Sequence, residues 1–129
     1  MNYIRLNIGG EERGCKLGLG FIQKVLESEK ITISDFFSKI ESESFTFLPK
    51  LLFYSLAYNE ERSGNKPSFE LNDVLDWIDE IGLNSDAFTD FQIAFFNSIK
   101  VHLPEENQNV IDTAVKELQG KKKPSKKGK

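Results

Sequence analysis

The chain has 129 residues, of which 39% are hydrophobic and 29% charged, and its formal net charge is −3. This length suits one compact domain that buries about two-thirds of its unfolded surface without disulfides. Its one cysteine, Cys15, excludes an internal disulfide, and its one histidine, His102, excludes His–His metal motifs. No apolar run approaches the ~20 residues of a membrane span, so we expect a soluble, intracellular protein.

The charge divides into two unlike parts. Six of the 17 basic residues lie in residues 121–129, so residues 1–120 hold eleven basic residues against 20 acidic ones, a net charge of −9. This acidic body argues against nucleic acid as a partner, because phosphate neutralisation needs a basic face. The lysine-rich end allows two interpretations, an arm for an acidic surface or a merely solubilising terminus. Its basic residues are Lys121, Lys122, Lys123, Lys126, Lys127 and Lys129.

The N-terminal residues predict a β-hairpin. Apolar and polar residues alternate over residues 2–8, which is the period of a half-buried strand. Gly9-Gly10 supplies the positive φ angles of a tight turn, and residues 11–17 form the returning strand. Because a two-stranded hairpin is marginal alone, we expect it to pack on helices. Its apolar positions are Ile4, Leu6, Ile8, Cys15 and Leu17.

The apolar residues then recur at helical spacing, which predicts about six short helices. The first runs to about Glu29, and the second has Ser34 as its N-cap and reaches Ile40. The third opens at Thr46 with Pro49 in its first turn. It is apolar on most of its circumference, so we expect it at the centre of the core. A polar loop over residues 59–68 follows.

Three further helices complete the predicted fold. Gly82 ends the fourth, Ser85 or Asn84 caps the fifth, and Pro104 precedes the last, which ends at Gly120. Their predicted inner faces include Leu71, Val74, Leu75, Ile78, Ile81, Phe88, Phe91, Phe95, Ile99, Val101, Val110, Ile111, Ala114, Val115 and Leu118.

The predicted fold class is mainly α, a small hairpin packed on a bundle of five to six short helices (α+β). We expect a hairpin and helical core domain over residues 1–103, an amphipathic helix over 104–120 and a disordered lysine-rich tail over 121–129.

No constellation of catalytic residues emerges. Several carboxylates share the fourth helix, and paired carboxylates can do acid–base work or bind a metal, but a solvated acidic face explains them without a convergent histidine. We expect Cys15 in the core, and His102 has no nucleophile motif around it. No phosphate-binding glycine motif occurs. We therefore predict no enzyme, no cofactor and no metal. The carboxylates are Asp73, Asp76, Asp79 and Glu80.

The eleven phenylalanines are the most informative feature. A domain of this size buries about seven of them. Two adjacent rings cannot both face inward on one helix, and two further rings flank Thr46 in a predicted loop. Exposed aromatic patches usually mark a partner site. The alternative is that flanking helices of the same chain cover these rings. The candidate partner-binding residues are Phe36, Phe37, Phe45, Phe47, Phe95 and Phe96.

The run NYIRLNIGGEERGCKLGLGFIQKVLESEKITISDFFSKI resembles the opening of the tail assembly chaperones of long-tailed bacteriophages. FLPKLLFYSLAYNEE is similar to the central apolar helix of that family, and FELNDVLDWIDEIG to its later acidic helix. The resemblance covers about residues 3–82 and is weaker to about residue 101. Family members usually carry a glycine near the start of the second helical unit, where this chain has Glu29-Lys30.

The resemblance implies a non-enzymatic protein of the host cytoplasm. Such chaperones coat the hydrophobic, helical tape measure protein and keep it soluble until tail tube subunits displace them. The implied partners are the tape measure protein and the tail tube protein, and self-association is compatible with this role. The alternative is a small phage or bacterial adaptor that binds a host factor through the same aromatic patch. A nucleic-acid binder acting through residues 121–129 would instead show salt-steep binding that is lost without them.

Overall fold

The computed structural model of the chain describes residues 2–121, and this part is mainly helical. An antiparallel two-stranded hairpin precedes six helices, which confirms the predicted α+β class. The elements are β1 (Tyr3–Ile8), β2 (Glu11–Lys16), α1 (Leu19–Glu29), α2 (Ile33–Ser42), α3 (Ser44–Arg62), α4 (Leu71–Ile81), α5 (Asp86–Lys100) and α6 (Glu105–Lys121).

The hairpin forms as the alternating pattern predicts. Ile8 pairs with Glu11 across the turn, and Gly9 and Gly10 adopt φ angles of 67° and 83°. The apolar face of the sheet lies on α3, α4 and α5, where Cys15 is fully buried. The hairpin therefore covers one side of the helical bundle and gains from it the packing that it lacks alone.

A cation–aromatic contact fastens the hairpin turn to α4. The Arg13 guanidinium lies 4.1 Å from the centre of the Trp77 ring and 5.7 Å from that of Phe69. It also donates hydrogen bonds to the carbonyl oxygens of Ile8 (3.0 Å) and Gly9 (3.3 Å). A Cβ atom at Gly9 would lie 2.6 Å from the Trp77 ring, so the turn and the indole are in direct contact.

The core is centred on α3, as predicted. Leu51, Leu52 and Leu56 of this helix are fully or almost fully buried, and Ser55 is buried among them with its hydroxyl bonded to the Leu52 carbonyl at 2.7 Å. The predicted apolar seam of α5 is buried throughout, and its Phe95 ring meets Phe21 of α1 and Phe36 of α2. That seam consists of Phe88, Phe91, Phe95 and Ile99.

The connection between α1 and α2 contains a left-handed residue. Lys30 has φ 58° and ψ 50°, and within residues 2–121 it is the one non-glycine residue with positive φ. The N-cap of α2 is Thr32, so the prediction of Ser34 is wrong. Thr32 and Asp35 exchange two hydrogen bonds of 3.1 Å between side chain and backbone, a capping box that starts the helix two residues earlier.

The third helix is longer than the sequence pattern predicts at both ends. It begins at Ser44 because the Glu43 carbonyl already accepts the N–H groups of Thr46 (3.1 Å) and Phe47 (2.8 Å). It continues to Arg62, into the predicted loop over residues 59–68. Polar residues on the exposed face do not end a helix whose other face still packs against the rest of the chain.

The last helix packs along α5. Ile111 and Val115 are buried in this contact, and Lys100 forms an ion pair of 2.6 Å with Asp112. Val110 is exposed, contrary to prediction, because it lies outside the stripe that faces α5. Gly120 lies within the helix, which continues to Lys121. The remaining predicted tail, with Lys122, Lys123, Lys126, Lys127 and Lys129, lies outside the described residues.

Candidate binding groove

The six candidate phenylalanines occupy three different environments. Phe36, Phe47 and Phe95 are buried and belong to the core. The rings of Phe36 and Phe47 meet edge to face at 5.7 Å, and those of Phe36 and Phe95 at 6.2 Å. These three rings are therefore unavailable to a partner. Phe37 and Phe96 are half-buried, each beside its buried neighbour, as expected for adjacent residues on one helix.

Phe45 is the exception, since 75% of the residue is exposed. It lies in the first turn of α3 and not in the predicted loop. Because successive helical residues are rotated by about 100°, Phe47 and Leu48 point into the core while Phe45 points away from it. The early start of the helix thus decides which of the two rings that flank Thr46 is exposed.

Two arms of one surface groove meet at Phe45. The first arm, called the α4 arm, runs between the start of α3 and one side of α4 and has a volume of about 450 Å³. Its floor and walls are predominantly apolar, with two charged residues among the lining residues. It is lined by Phe45, Thr46, Pro49, Lys50, Leu71, Leu75, Ile78, Asp79 and Leu83.

The second arm, called the α5 arm, lies between α3, α5 and the end of α6 and has a volume of about 660 Å³. It mixes apolar walls with neutral hydrogen-bonding side chains. The two arms share Phe45, Pro49 and Leu83. The other lining residues of the α5 arm are Ser44, Leu48, Asn84, Phe88, Thr89, Gln92 and Leu118. Both volumes fall within the range of typical binding sites.

The charges at the α4 arm are unequal. Lys50 is held by Glu29, whose carboxylate it meets at 3.3 Å. Glu29 also accepts a hydrogen bond of 2.5 Å from the Tyr54 hydroxyl, and burial together with this carboxylate raises the pKa of Tyr54. Asp79 lies on the opposite wall and forms no ion pair within residues 2–121. The arm therefore has a neutralised cation on one side and an unpaired carboxylate on the other.

Cys15 and His102 lie in different environments, one buried in the hairpin and the other on an exposed turn. Burial raises the pKa of Cys15 to about 12, so its thiol stays protonated at neutral pH. His102 is exposed on the turn between α5 and α6. Within the described range, no group of three His, Cys, Asp or Glu side chains could hold a metal ion. No helix in residues 2–121 has the length and hydropathy of a membrane span.

The sequence pattern predicts burial for three apolar residues that the structure leaves exposed, and of these Leu75 lines the groove. Leu75 and Ile81 were expected on the inner face of α4 but are 37% and 38% exposed. Val101, expected to broaden the α5 seam, is 75% exposed because it follows the last turn of that helix. The available signal was the width of the apolar face of α4, which is broader than its neighbours cover.

Comparison of the chain with protein-family models, with curated proteins and with solved structures gave no match.

Proposed function

We propose that this protein is a non-catalytic binding protein that holds an apolar helix of a partner in the groove at Phe45. In its specific form, the proposal is a phage tail assembly chaperone that keeps the tape measure protein soluble and then meets the tail tube protein. The observation that carries it is the 75% exposure of Phe45 at the junction of two partly apolar arms. A large exposed aromatic ring beside an open groove is typical of an interaction site.

The shape of the groove favours a helix as the ligand. An amphipathic helix binds by placing a ridge of side chains at positions i, i+4 and i+7 into an apolar groove. The α4 arm extends along Leu71, Leu75 and Ile78, which are spaced in the same way. Side chains of a partner helix would pack between these residues and the Phe45 ring.

The acidic body supports a solubilising role. Residues 1–120 carry a net charge of −9, which opposes association of the protein with its own copies and with other acidic proteins. A complex that buries the partner's apolar ridge in the groove would present this charge to water. The partner is thereby kept from aggregating.

The backbone at Lys30 agrees with the family resemblance. Lys30 adopts a left-handed conformation, which glycine accepts without cost and other residues rarely adopt. This is the place where tail assembly chaperones usually carry a glycine. The residue itself departs from the family pattern, whereas its backbone conformation is one that a glycine would adopt.

Co-expression tests the proposal. We expect the soluble yield of the tape measure protein from the same phage to rise several-fold with the wild-type chain, and the two to co-purify. Phe45→Ala should abolish this gain. Val101→Ala is the matched control, because Val101 is equally exposed but lies at the far end of α5 from Phe88.

The outcomes separate the two candidate functions. No gain in yield together with no co-purification would refute the chaperone role. Capture of a bacterial host protein by the wild-type chain but not by Phe45→Ala would instead establish the adaptor.

A further inference from the structure

We infer that the α4 arm of the groove selects a helix whose apolar ridge is flanked by lysine or arginine. This inference rests on the proposed function and specifies the chemistry of its partner. Its basis is the juxtaposition of an apolar floor with the unpaired carboxylate of Asp79 at the rim.

A second carboxylate extends this acidic rim. On a helix with 100° per residue, Leu75 and Ile78 point toward the groove, Asp79 lies at its edge and Asp76 lies one step further out. Both aspartates are in α4, and neither forms an ion pair or a hydrogen bond with a side chain in residues 2–121. The rim therefore offers two free carboxylates on the same side.

The opposite wall does not offset these charges. Its cation, Lys50, is paired with Glu29 at 3.3 Å, so its charge is already matched. A helix lying in the arm would thus meet an apolar floor and a net negative edge. Lysine or arginine next to the apolar ridge would complement that edge, whereas glutamate or aspartate would be repelled.

The size of the arm limits the contact to about two helical turns. Leu71 to Ile78 are eight residues, and the seven steps between them span about 10 Å of helix. A ridge of two or three large apolar side chains fills this length, and one or two basic residues reach Asp79 and Asp76. Because rim charges are solvated, their contribution is to selectivity more than to affinity.

Two synthetic helical peptides test the inference against the full-length protein. They share one leucine ridge and differ only in their flanking residues, lysine in one and glutamate in the other. We expect the lysine peptide to bind about tenfold more tightly at low salt, and this ratio to shrink at high salt.

Paired variants localise the effect. Asp76→Asn combined with Asp79→Asn should weaken the lysine peptide about fivefold and leave the glutamate peptide no weaker. Glu27→Gln combined with Glu60→Gln makes the same change in net charge at residues that do not line the groove, and should change neither affinity. Phe45→Ala should weaken both peptides, because both use the apolar floor.

The other possible results of these binding measurements distinguish failure of the basic-flank inference from failure of the groove proposal. Equal binding of the two peptides, with Phe45→Ala still weakening both, overturns the basic-flank inference and leaves the groove proposal intact. An equal loss in the Glu27/Glu60 control also overturns it, since net charge alone would then explain the effect. No effect of Phe45→Ala refutes both proposals.

Discussion

The two sides of α4 differ in what covers them. On one side, Trp77 is covered by the hairpin turn, with the Arg13 guanidinium 4.1 Å from its ring. On the other side, Leu75 borders the α4 arm of the groove and is 37% exposed. Both residues belong to one amphipathic helix whose apolar face is wider than a single neighbour can cover. The hairpin therefore covers one side of α4, whereas the other side stays partly exposed within residues 2–121, where the proposed partner helix would lie.

The largest expected effect comes from removing the covered ring. Trp77→Ala should lower the free energy of unfolding by about 3 kcal/mol, because it removes the contacts with Phe69, Arg13 and the turn. Leu75→Ala on the open side should cost about 1 kcal/mol or less. Denaturant unfolding of both variants measures the difference. Equal losses would show that the two sides of α4 are equally covered.

The contact between turn and indole can be isolated with two glycines. Gly9→Ala should cost about 2 kcal/mol, since positive φ adds about 1 kcal/mol and the new Cβ would lie 2.6 Å from Trp77. Gly10→Ala has positive φ but meets no atom within 4 Å, so it should cost about 1 kcal/mol. In a Trp77→Ala background the two costs should become equal. If Gly9→Ala still costs more than Gly10→Ala in that background, the clash is not with the Trp77 ring.

Alkaline pH tests the burial of Cys15 on the inner face of the hairpin. The folded thiol has its pKa raised by burial to about 12, whereas the unfolded thiol ionises near 9.0. Above pH 9 the unfolded state releases a proton that the folded state keeps, so stability falls with pH, by up to about 1.4 kcal/mol per unit until pH 12.

Cys15→Ala provides the comparison for that titration. In this variant the free energy of unfolding should fall less steeply between pH 9 and 10, as measured by denaturant unfolding at each pH. The raised pKa of Tyr54 causes a further loss of stability at higher pH, and this loss occurs in the variant as well. An identical slope in both proteins would mean that the thiol is not buried as described.

A smaller effect is expected at the turn between α1 and α2. Lys30→Gly should raise the free energy of unfolding by about 0.5 kcal/mol. Glycine adopts the left-handed conformation without strain, and this gain exceeds the cost of the larger conformational entropy that glycine gives the unfolded chain. Lys30→Ala removes the same side chain without that relief and should give no gain. If both variants are equally stable, the turn does not carry backbone strain.

The smallest effect on stability is expected at Phe45. Phe45→Ala should change the free energy of unfolding by less than about 0.5 kcal/mol, because the ring is exposed and contributes little to the core. Thermal unfolding of the purified variant measures this. A loss comparable to that of Trp77→Ala would show that the ring serves the fold, and would remove the argument for a binding role.

Local periodicity was sufficient to predict the hairpin, the number of helices and the buried seam of α5. It also predicted that one ring of each adjacent pair lies inside, as Phe36 and Phe95 do. It could not predict the groove, because the groove depends on which helices lie next to α4. The sequence pattern predicts Phe45 and Phe47 in one loop, whereas the start of α3 at Ser44 exposes the first ring and buries the second. That start is set by the Glu43 carbonyl and not by hydrophobic spacing.

Pro49 gives the turn that carries Phe45 an unusual property. Proline has no N–H, so the Phe45 carbonyl lacks the donor that a regular helix would place four residues later. Segments with fewer hydrogen bonds open and shift at lower cost than the turns that follow. We therefore expect this first turn to adjust by small rotations, letting one recess admit side chains of unequal bulk. Under the proposed function, this tolerance would let the groove bind successive segments of the partner that differ in sequence.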